Sequence, residues 1–412
     1  MRVLAVAVLC VLFFPVHAQK VDKYLFLGRE AEEAKDYYKA AEIYREGAAV
    51  TVTNAKLNFH YAEVLRLLNE YELSQKYYQL TLAIDSLNEY PVSLYWIAMM
   101  QKNNGNYKES LGNWELLKRL YSSDPSSDIY RKAVQETEVC AAILKGGIPT
   151  YPNKIWNLET LNTINAEFAA SYYDSTGLIF SSLEKAGKER DKKEKFIELH
   201  AAIRDQGKWN ESALLPAQIN ATGFQNANGS FSSDKKYFVF TRCDQPATCM
   251  IYIAIYRNGA YSEAYPLKVN LPGYNTTQPC LVKTDNGYVL FFSSDRPGGS
   301  GGLDIWYALA DEKLNIGEPM NCPGVNSTED DITPFYFHPT KELFFSSTWF
   351  GGMGGMDIFK SATDLSSFET TGATADYSPR TVKDRNHRLV RPAATTSMNS
   401  NTRCGSSKVR LR

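Results

Sequence analysis

The pattern of apolar and polar residues divides the chain into two halves with different periods. From residue 22 to about 145, apolar residues recur every three to four positions, which predicts amphipathic helices. After residue 150, short aromatic and β-branched runs alternate with segments rich in glycine, asparagine and proline, which predicts strands and turns. The segment 146–149 contains two glycines and a proline, and it is the predicted boundary between the halves.

The helical half contains a repeat of about 34 residues. Segments beginning at Tyr37, Tyr71 and Tyr107 align, with spacings of 34 (37 to 71) and 36 (71 to 107). Small residues recur in both helices of each unit, and a large aromatic follows the second small residue by four positions. The small residues are Gly28, Ala62, Ala98, Ala40, Ser74 and Ser110, and the aromatics are Tyr44, Tyr78 and Trp114. Because residues i and i+4 share a helix face, the pattern predicts tetratricopeptide-type helix pairs over 20–147, with 127–145 as a solvated capping helix.

The strand half contains a loop that occurs twice. Residues 291–306 read FFSSDRPGGSGGLDIW, and residues 344–359 read FFSSTWFGGMGGMDIF. Equivalent phenylalanines at 180, 240, 292 and 345 are separated by steps of 60, 52 and 53. Repeats of this length built from short strands are typical of β-propeller blades. The predicted fold class is therefore an α+β multidomain protein, with a helical solenoid followed by about four propeller blades over 150–370.

Two apolar runs mark each predicted blade. The first runs, interpreted as third strands, are 178–182, 237–241, 288–294 and 343–347, and the second runs are 196–200, 250–254, 303–307 and 356–359. The charged segment 183–195 between two of these runs is predicted to be a solvated loop. Four blades are the minimum of the usual range of about 4–8, so we expect an open or strained array instead of a closed ring.

The first 18 residues have the pattern of a secretory signal peptide. Arg2 supplies the positive charge, 3–14 form the apolar core, and small residues precede a cleavage site before Gln19. A membrane anchor is the alternative, but about 12 apolar residues are too few to span a bilayer. No later run reaches about 18 uninterrupted apolar residues. The pattern therefore predicts export of the mature chain.

Export makes disulfide bonds an expected feature of the chain. Cys243 and Cys249 flank a five-residue loop between two strand-like runs, and a disulfide that closes this hairpin is predicted. Cys280 and Cys322 occupy similar places in two blades, and both the paired and the unpaired state remain open. A zinc site is not expected, because no C-x-x-C spacing or neighbouring histidine is present.

Charge is balanced over the whole chain but not along it. The 45 basic and 46 acidic residues argue against a nucleic-acid-binding protein. Residues 371–412 carry nine basic and two acidic residues, with few apolar ones. Three interpretations of this segment are open: a disordered tail, a lost reading frame, or a basic arm for anionic surfaces.

The repeated loop also contains the candidate chemistry. Ser300 lies in a G-x-S-x-G pattern, but the sister loop has Met353 at this place, and a strand follows where a nucleophile elbow needs a helix. We expect the glycines to supply positive φ angles and Asp304 and Asp357 to cap loop amides. Neither Asp295 nor the acidic segment 329–331 has the spacing of a calcium loop. No catalytic residue, cofactor or metal ligand is predicted.

The motif FFSSDRPGGSGGLDIWYA resembles the WD40-like, TolB-type propeller repeat of Bacteroidetes envelope proteins. Helical repeats followed by this propeller, behind a signal peptide, resemble the envelope proteins of the type IX secretion and gliding machinery. The resemblance implies a non-catalytic scaffold in the periplasm, associated with the outer membrane, whose partners are secretion or gliding components. In that family an OmpA-like domain usually follows. This chain shows neither that domain nor a lipobox, so peptidoglycan binding is not carried over. The alternatives are a propeller-bearing hydrolase and a glycan-binding propeller.

Overall fold

The computed structural model describes residues 21–146, 157–185, 195–244, 248–322 and 324–365. The predicted signal peptide, most of the charged loop 183–195 and the basic tail lie outside the described residues. The main division between two compact units falls between Ile148 and Pro149. None of the helices in the described ranges is long and apolar enough to cross a membrane.

The first unit is a run of antiparallel helices, as the 34-residue repeat predicts. The helices are α1 (21–33), α2 (Tyr37–Val50), α3 (Ala55–Leu67), α4 (Tyr71–Asp85), α5 (Val92–Asn103), α6 (Tyr107–Leu120) and α7 (Asp128–Gly146). Side-chain caps fix two of the starts: Asp36 accepts the Lys39 N–H at 3.1 Å, and Asn54 accepts the Leu57 N–H at 2.8 Å. Each helix packs against the next along the chain.

The predicted pairing of small and large residues is confirmed. Tyr44, Tyr78 and Trp114 are fully buried. A side chain at Gly28 would collide with the Tyr44 ring, so the small residue leaves room for the aromatic. The Ser74 hydroxyl also donates 2.9 Å to the carbonyl of Ala62, and Ser110 does the same to Ala98 at 2.8 Å. The small residues therefore provide both close approach and a hydrogen bond between paired helices.

Helix α7 differs from the predicted solvated cap, because one of its faces buries charged side chains. The Lys102 ammonium on α5 lies 2.8 and 2.7 Å from the two carboxylate oxygens of Glu136. Lys132 lies 3.0 Å from the same carboxylate. The three side chains are 1%, 0% and 0% exposed. Burial alone would raise the pKa of Glu136, but the two ammonium groups outweigh it and lower that pKa.

The second unit consists of four consecutive antiparallel sheets, which are the blades of a β-propeller. Blade 1 contains β1 (Glu167–Tyr172), β2 (Gly177–Lys185), β3 (Lys195–Asp205), β4 (Lys208–Trp209) and β5 (Ala213–Leu214). Blade 2 contains β6 (Gln225–Phe231), β7 (Tyr237–Asp244), β8 (Thr248–Arg257), β9 (Ala260–Tyr261) and β10 (Tyr265–Pro266). Blade 3 contains β11 (Thr276–Thr284), β12 (Gly287–Ser294), β13 (Asp304–Ala310) and β14 (Met320–Asn321). Blade 4 contains β15 (Asp331–Phe337), β16 (Glu342–Ser347) and β17 (Asp357–Ala362), with a short 3-10 turn at His338–Thr340.

The apolar runs that we interpreted as third strands are the second strands of their blades. A first strand precedes each of them and carries a β-bulge, which breaks the alternation that identifies a strand in sequence. One residue of each bulge has φ between 52 and 57°: Ala169, Asn228, Gln278 and Thr333. The bulge amides of Asn228 and Gln278 donate to hydroxyls of the preceding blade, Ser181 at 3.0 Å and Thr241 at 2.9 Å. The bulges therefore connect neighbouring blades.

Hydrophobic clusters join each blade to the next one along the chain. Their members include Leu199 with Phe238, Ile253 with Phe292, and Phe291 with Phe345. Among the described residues, no strand of blade 4 packs extensively against a strand of blade 1. This agrees with the prediction of an open array.

The predicted hairpin disulfide is confirmed. Cys243 and Cys249 are directly opposite each other on β7 and β8, and their sulfurs are bonded. Cys280 and Cys322 do not pair with each other, which decides the alternative that the sequence left open, and both are free thiols in the described part of the chain. Burial raises the pKa of Cys280 to about 11 and that of Cys322 to about 12, so both remain protonated at neutral pH.

Candidate interaction site on the last blade

The glycine loop between β12 and β13 is organised by Asp304. One carboxylate oxygen of Asp304 accepts the N–H of Ser300 at 2.7 Å and that of Gly301 at 3.2 Å. The predicted capping role is therefore confirmed for this residue. In the sister loop, a side chain at Gly352 would collide with the carboxylate of Asp357, so the same arrangement recurs.

The glycines of this loop are required for two different reasons. Gly298 has a φ of 91°, as predicted. The prediction of positive φ angles is wrong for Gly299 and Gly301, which have no such angle. A side chain at Gly299 would collide with the Asp304 carboxylate, and one at Gly301 would lie 2.6 Å from the carbonyl oxygen of Ser327. Close approach of the backbone explains these two positions.

Ser300 does not lie in the surroundings of a nucleophile. Its loop leads directly into strand β13, whereas a nucleophile elbow leads into a helix. In the described parts of the chain no histidine is hydrogen-bonded to Ser300. The arrangement around Ser300 organises a turn and provides no base to activate the hydroxyl.

Two buried carboxyl groups lie where blades 3 and 4 meet. Asp331 accepts the Ser327 hydroxyl at 2.7 Å through one oxygen, and among the described residues one oxygen of Asp304 lacks a hydrogen-bond partner. Burial raises the pKa of Asp304, and it raises that of Asp331 to about 7 although serine hydroxyls oppose the change. Over the described ranges, no group of three or more acidic, histidine or cysteine side chains has an arrangement that would hold a metal ion.

The outer face of blade 4 is apolar and uncovered by the described residues. Phe335 and Phe337 on β15, Phe344 on β16 and Ile358 on β17 line a groove of about 390 Å³. Phe335 is 54% exposed and Phe337 is 40% exposed. We call these four residues the blade 4 face. Contiguous apolar surface of this kind marks interaction sites in soluble proteins.

Blade 3 shows how the same positions are used when a neighbour is present. Phe291 pairs with Cys280 as Phe344 pairs with Phe335, and Ile305 faces Ser293 as Ile358 faces Ser346. Phe291 and Ile305 are fully buried, and they pack in one cluster with Tyr336, Leu343, Phe345 and Phe359 of blade 4. The blade 4 face therefore has the composition of a surface that another sheet covers.

An asparagine clamps the third strand of each of the first three blades. Asn270 accepts the N–H of Ile251 at 2.8 Å and donates to its carbonyl at 2.9 Å. Asn220 forms the same two bonds with Leu199, and Asn326 forms them with Ile305. The sequence indicates only turn-rich segments around these asparagines. The structure shows that they are structural parts of the blades.

Replacing Asn270 with alanine should leave the buried N–H of Ile251 without a partner, while the Ile251 carbonyl keeps only the N–H of Leu267. We expect a loss of about 1–3 kcal/mol in the local opening free energy of β8, because unsatisfied buried polar groups carry this cost. Hydrogen exchange followed by mass spectrometry measures it as faster exchange of the β8 amides. Lys268→Ala, at an exposed neighbouring position, is the matched control and should leave this exchange unchanged. Equal exchange in the two variants would refute the clamp.

The comparisons with known proteins give similarity of structure only. No family model and no curated protein matches the chain. The Sgt2 TPR domain from Aspergillus fumigatus is similar over 32% of this chain and 87% of that chain, at 17% identity and a TM-score of 0.26. The GH43 endo-arabinanase from Bacillus licheniformis is similar over 53% of this chain and 82% of that chain, at 14% identity and a TM-score of 0.34. A puromycin-hydrolyzing peptidase from Mycobacterium tuberculosis is similar over 49% of this chain and 30% of that chain, at 15% identity and a TM-score of 0.30. These values carry no inference about activity.

Proposed function

We propose that this protein is a non-catalytic scaffold that binds other proteins through the last blade of its propeller. The observation that carries the proposal is the blade 4 face, where Phe335 and Phe337 are exposed and the other two residues are partly exposed. The blade 3 equivalents of those two residues, Phe291 and Ile305, are fully buried. Aromatic residues on an uncovered sheet face provide large contact area with few rotatable bonds, which is typical of protein interfaces. The helical repeats provide a second module of a kind used for protein binding.

The absence of a catalytic role is part of the same proposal. It is supported by the loop around Ser300, in which the Asp304 carboxylate caps the backbone amides and the hydroxyl lies outside any triad among the described residues. The turn uses the backbone N–H of Ser300, which any residue provides, and this agrees with methionine at the equivalent place in the sister loop.

The proposed location and partners depend on the sequence. The signal-like pattern of residues 1–18 supports export to the periplasm, and the resemblance to Bacteroidetes envelope proteins supports association with the outer membrane. We therefore propose secretion or gliding components of the cell envelope as partners.

Site-specific photocrosslinking in intact cells tests this function. A photoreactive phenylalanine analogue at Phe335 should crosslink to an envelope protein in the periplasmic or outer-membrane fraction. The same analogue at Tyr172, an exposed position of blade 1, is the matched control and should give no such product. Equal labelling from the two positions, or no product from Phe335, would refute binding through blade 4. Crosslinked products without secretion or gliding components would refute the proposed partners alone.

A further inference from the structure

Three blades complete their third strand in the same way. In each, the last strand of the blade has two residues and pairs with the third strand: β5 with β3, β10 with β8, and β14 with β13. The next residue is apolar and donates its N–H to the carbonyl of the clamped residue, as Leu267 does to Ile251 at 3.0 Å. The clamping asparagine follows three to five positions later (215 to 220, 267 to 270 and 322 to 326).

Among the described residues, blade 4 has neither the additional two-residue strand nor the clamping asparagine. Its sheet contains β15, β16 and β17, so β17 is an edge strand. Ile358 has the same register as the clamped Ile305, because Asp357 faces Ser347 as Asp304 faces Ser294. The N–H and carbonyl of Ile358 therefore point away from β16, toward the open edge. Such an edge is a template for pairing with another strand.

The sequence that follows β17 lacks the clamping asparagine at the spacing of the repeat. The asparagine follows the clamped residue by 21, 19 and 21 positions in the first three blades (199 to 220, 251 to 270 and 305 to 326). The positions 19–21 residues after Ile358 are Tyr377, Ser378 and Pro379. None of these side chains can both accept from an amide N–H and donate to a carbonyl with the planar geometry of asparagine.

We propose that the β17 edge binds an extended segment of another protein, which carries a two-residue strand, an apolar residue and an asparagine three to five positions later. The inference rests on the proposed scaffold function and specifies the chemistry of the partner at the same blade. Strand addition at a sheet edge obtains affinity from main-chain hydrogen bonds and specificity from individual side-chain contacts. Here the asparagine contact to Ile358 supplies the specificity.

The edge and the blade 4 face form one continuous surface for this segment. In blade 3, the apolar residue after the fourth strand is Cys322, and it packs in one cluster with Phe291 and Ile305. The equivalent residue of a bound segment would pack beside Phe344 and Ile358. The segment thus buries part of the apolar face while it completes the sheet.

A peptide copied from blade 2 provides the test, because it contains the complete signature. A fluorescently labelled peptide with the sequence of residues 262–272 is titrated with the full chain, and binding is followed by anisotropy. The control peptide differs by alanine in place of the residue corresponding to Asn270. We expect saturable binding that is about tenfold weaker for the control, because two hydrogen bonds are lost. Equal binding of the two peptides, or no binding, would overturn the proposal.

Hydrogen exchange identifies the site without any variant of the protein. The bound peptide should slow exchange of the β17 segment that contains Ile358, and it should not change exchange of β13, whose edge is already paired. Protection of Ile358 before any peptide is added would indicate that the chain's own residues occupy the edge, which contradicts a partner segment. Protection that increases with protein concentration would indicate a second copy and would also contradict it. Crosslinking from Phe335 without peptide binding would leave the scaffold function standing and remove only this inference.

Discussion

Replacing Glu136 with alanine should lower the unfolding free energy of the helical unit by about 3–5 kcal/mol, the usual cost of breaking a buried ion pair. The Glu136 carboxylate neutralises Lys102 at 2.7 Å and Lys132 at 3.0 Å, and water reaches none of the three side chains. Without the carboxylate, two ammonium groups remain buried beside each other. Two like charges that contact the same carboxylate repel strongly in a medium of low polarity once it is removed, and neither ammonium group can recover its hydration.

Urea denaturation followed at 222 nm measures this effect, because all the described α-helices belong to the helical unit. Glu138→Ala is the matched control, since Glu138 is exposed on the same helix and should change stability by no more than about 0.5 kcal/mol. A triple variant with methionine at Lys102 and Lys132 and leucine at Glu136 should be far closer to the wild type than Glu136→Ala. If Glu136→Ala and Glu138→Ala unfold alike, the buried charges do not support the helical unit.

The helical repeat was predictable because its signal is local. The small residue at Ser74 and the aromatic at Tyr78 share a helix face by spacing alone, and the structure buries both. The ion cluster was not predictable in this way. Lys132 and Glu136 have the i, i+4 spacing of an ordinary exposed pair, and Lys102 lies 34 positions from Glu136. Burial of these charges depends on the packing of α7 against its neighbours, which no local pattern contains.

The blades show the same division between local and distant information. Strand β12 is an uninterrupted apolar run and was located from sequence, whereas the bulged strand β6 (QNANGSF) has no strand-like alternation. The clamping role of Asn270 depends on Ile251, 19 residues away, so its sequence neighbourhood indicates only a turn. The exposure of Phe335 depends on which sheet, if any, covers blade 4. The candidate site could therefore not be predicted from the sequence, although the open array of blades was predicted.

The second unit, which contains the four blades, should lose stability as pH rises. Replacing Asp331 with asparagine should remove this loss. Burial raises the pKa of Asp331 to about 7 in the folded protein from an ordinary 3.8. Between these two values the folded state retains a proton that the unfolded state releases, so the unfolding free energy falls as pH increases. A difference of about 3 pKa units corresponds to about 4 kcal/mol, lost between about pH 4 and pH 7 and constant above.

The measurement compares wild type and Asp331→Asn between pH 4 and pH 8, with pulsed hydrogen exchange in urea reporting on strand β12. The variant should gain about 4 kcal/mol relative to the wild type over this range, because its amide carries no charge to bury. Asp311→Asn is the control, and its effect on stability should depend on pH in the opposite direction. Hydrogen bonds from the Asn315 side chain and backbone lower the pKa of Asp311, so its carboxylate favours the folded state above that pKa. Replacing Asp311 should therefore cost stability at neutral pH and little in strong acid. If Asp331→Asn and the wild type respond to pH in parallel, Asp331 is charged in the folded protein, and a counter-charge or water must reach its carboxylate.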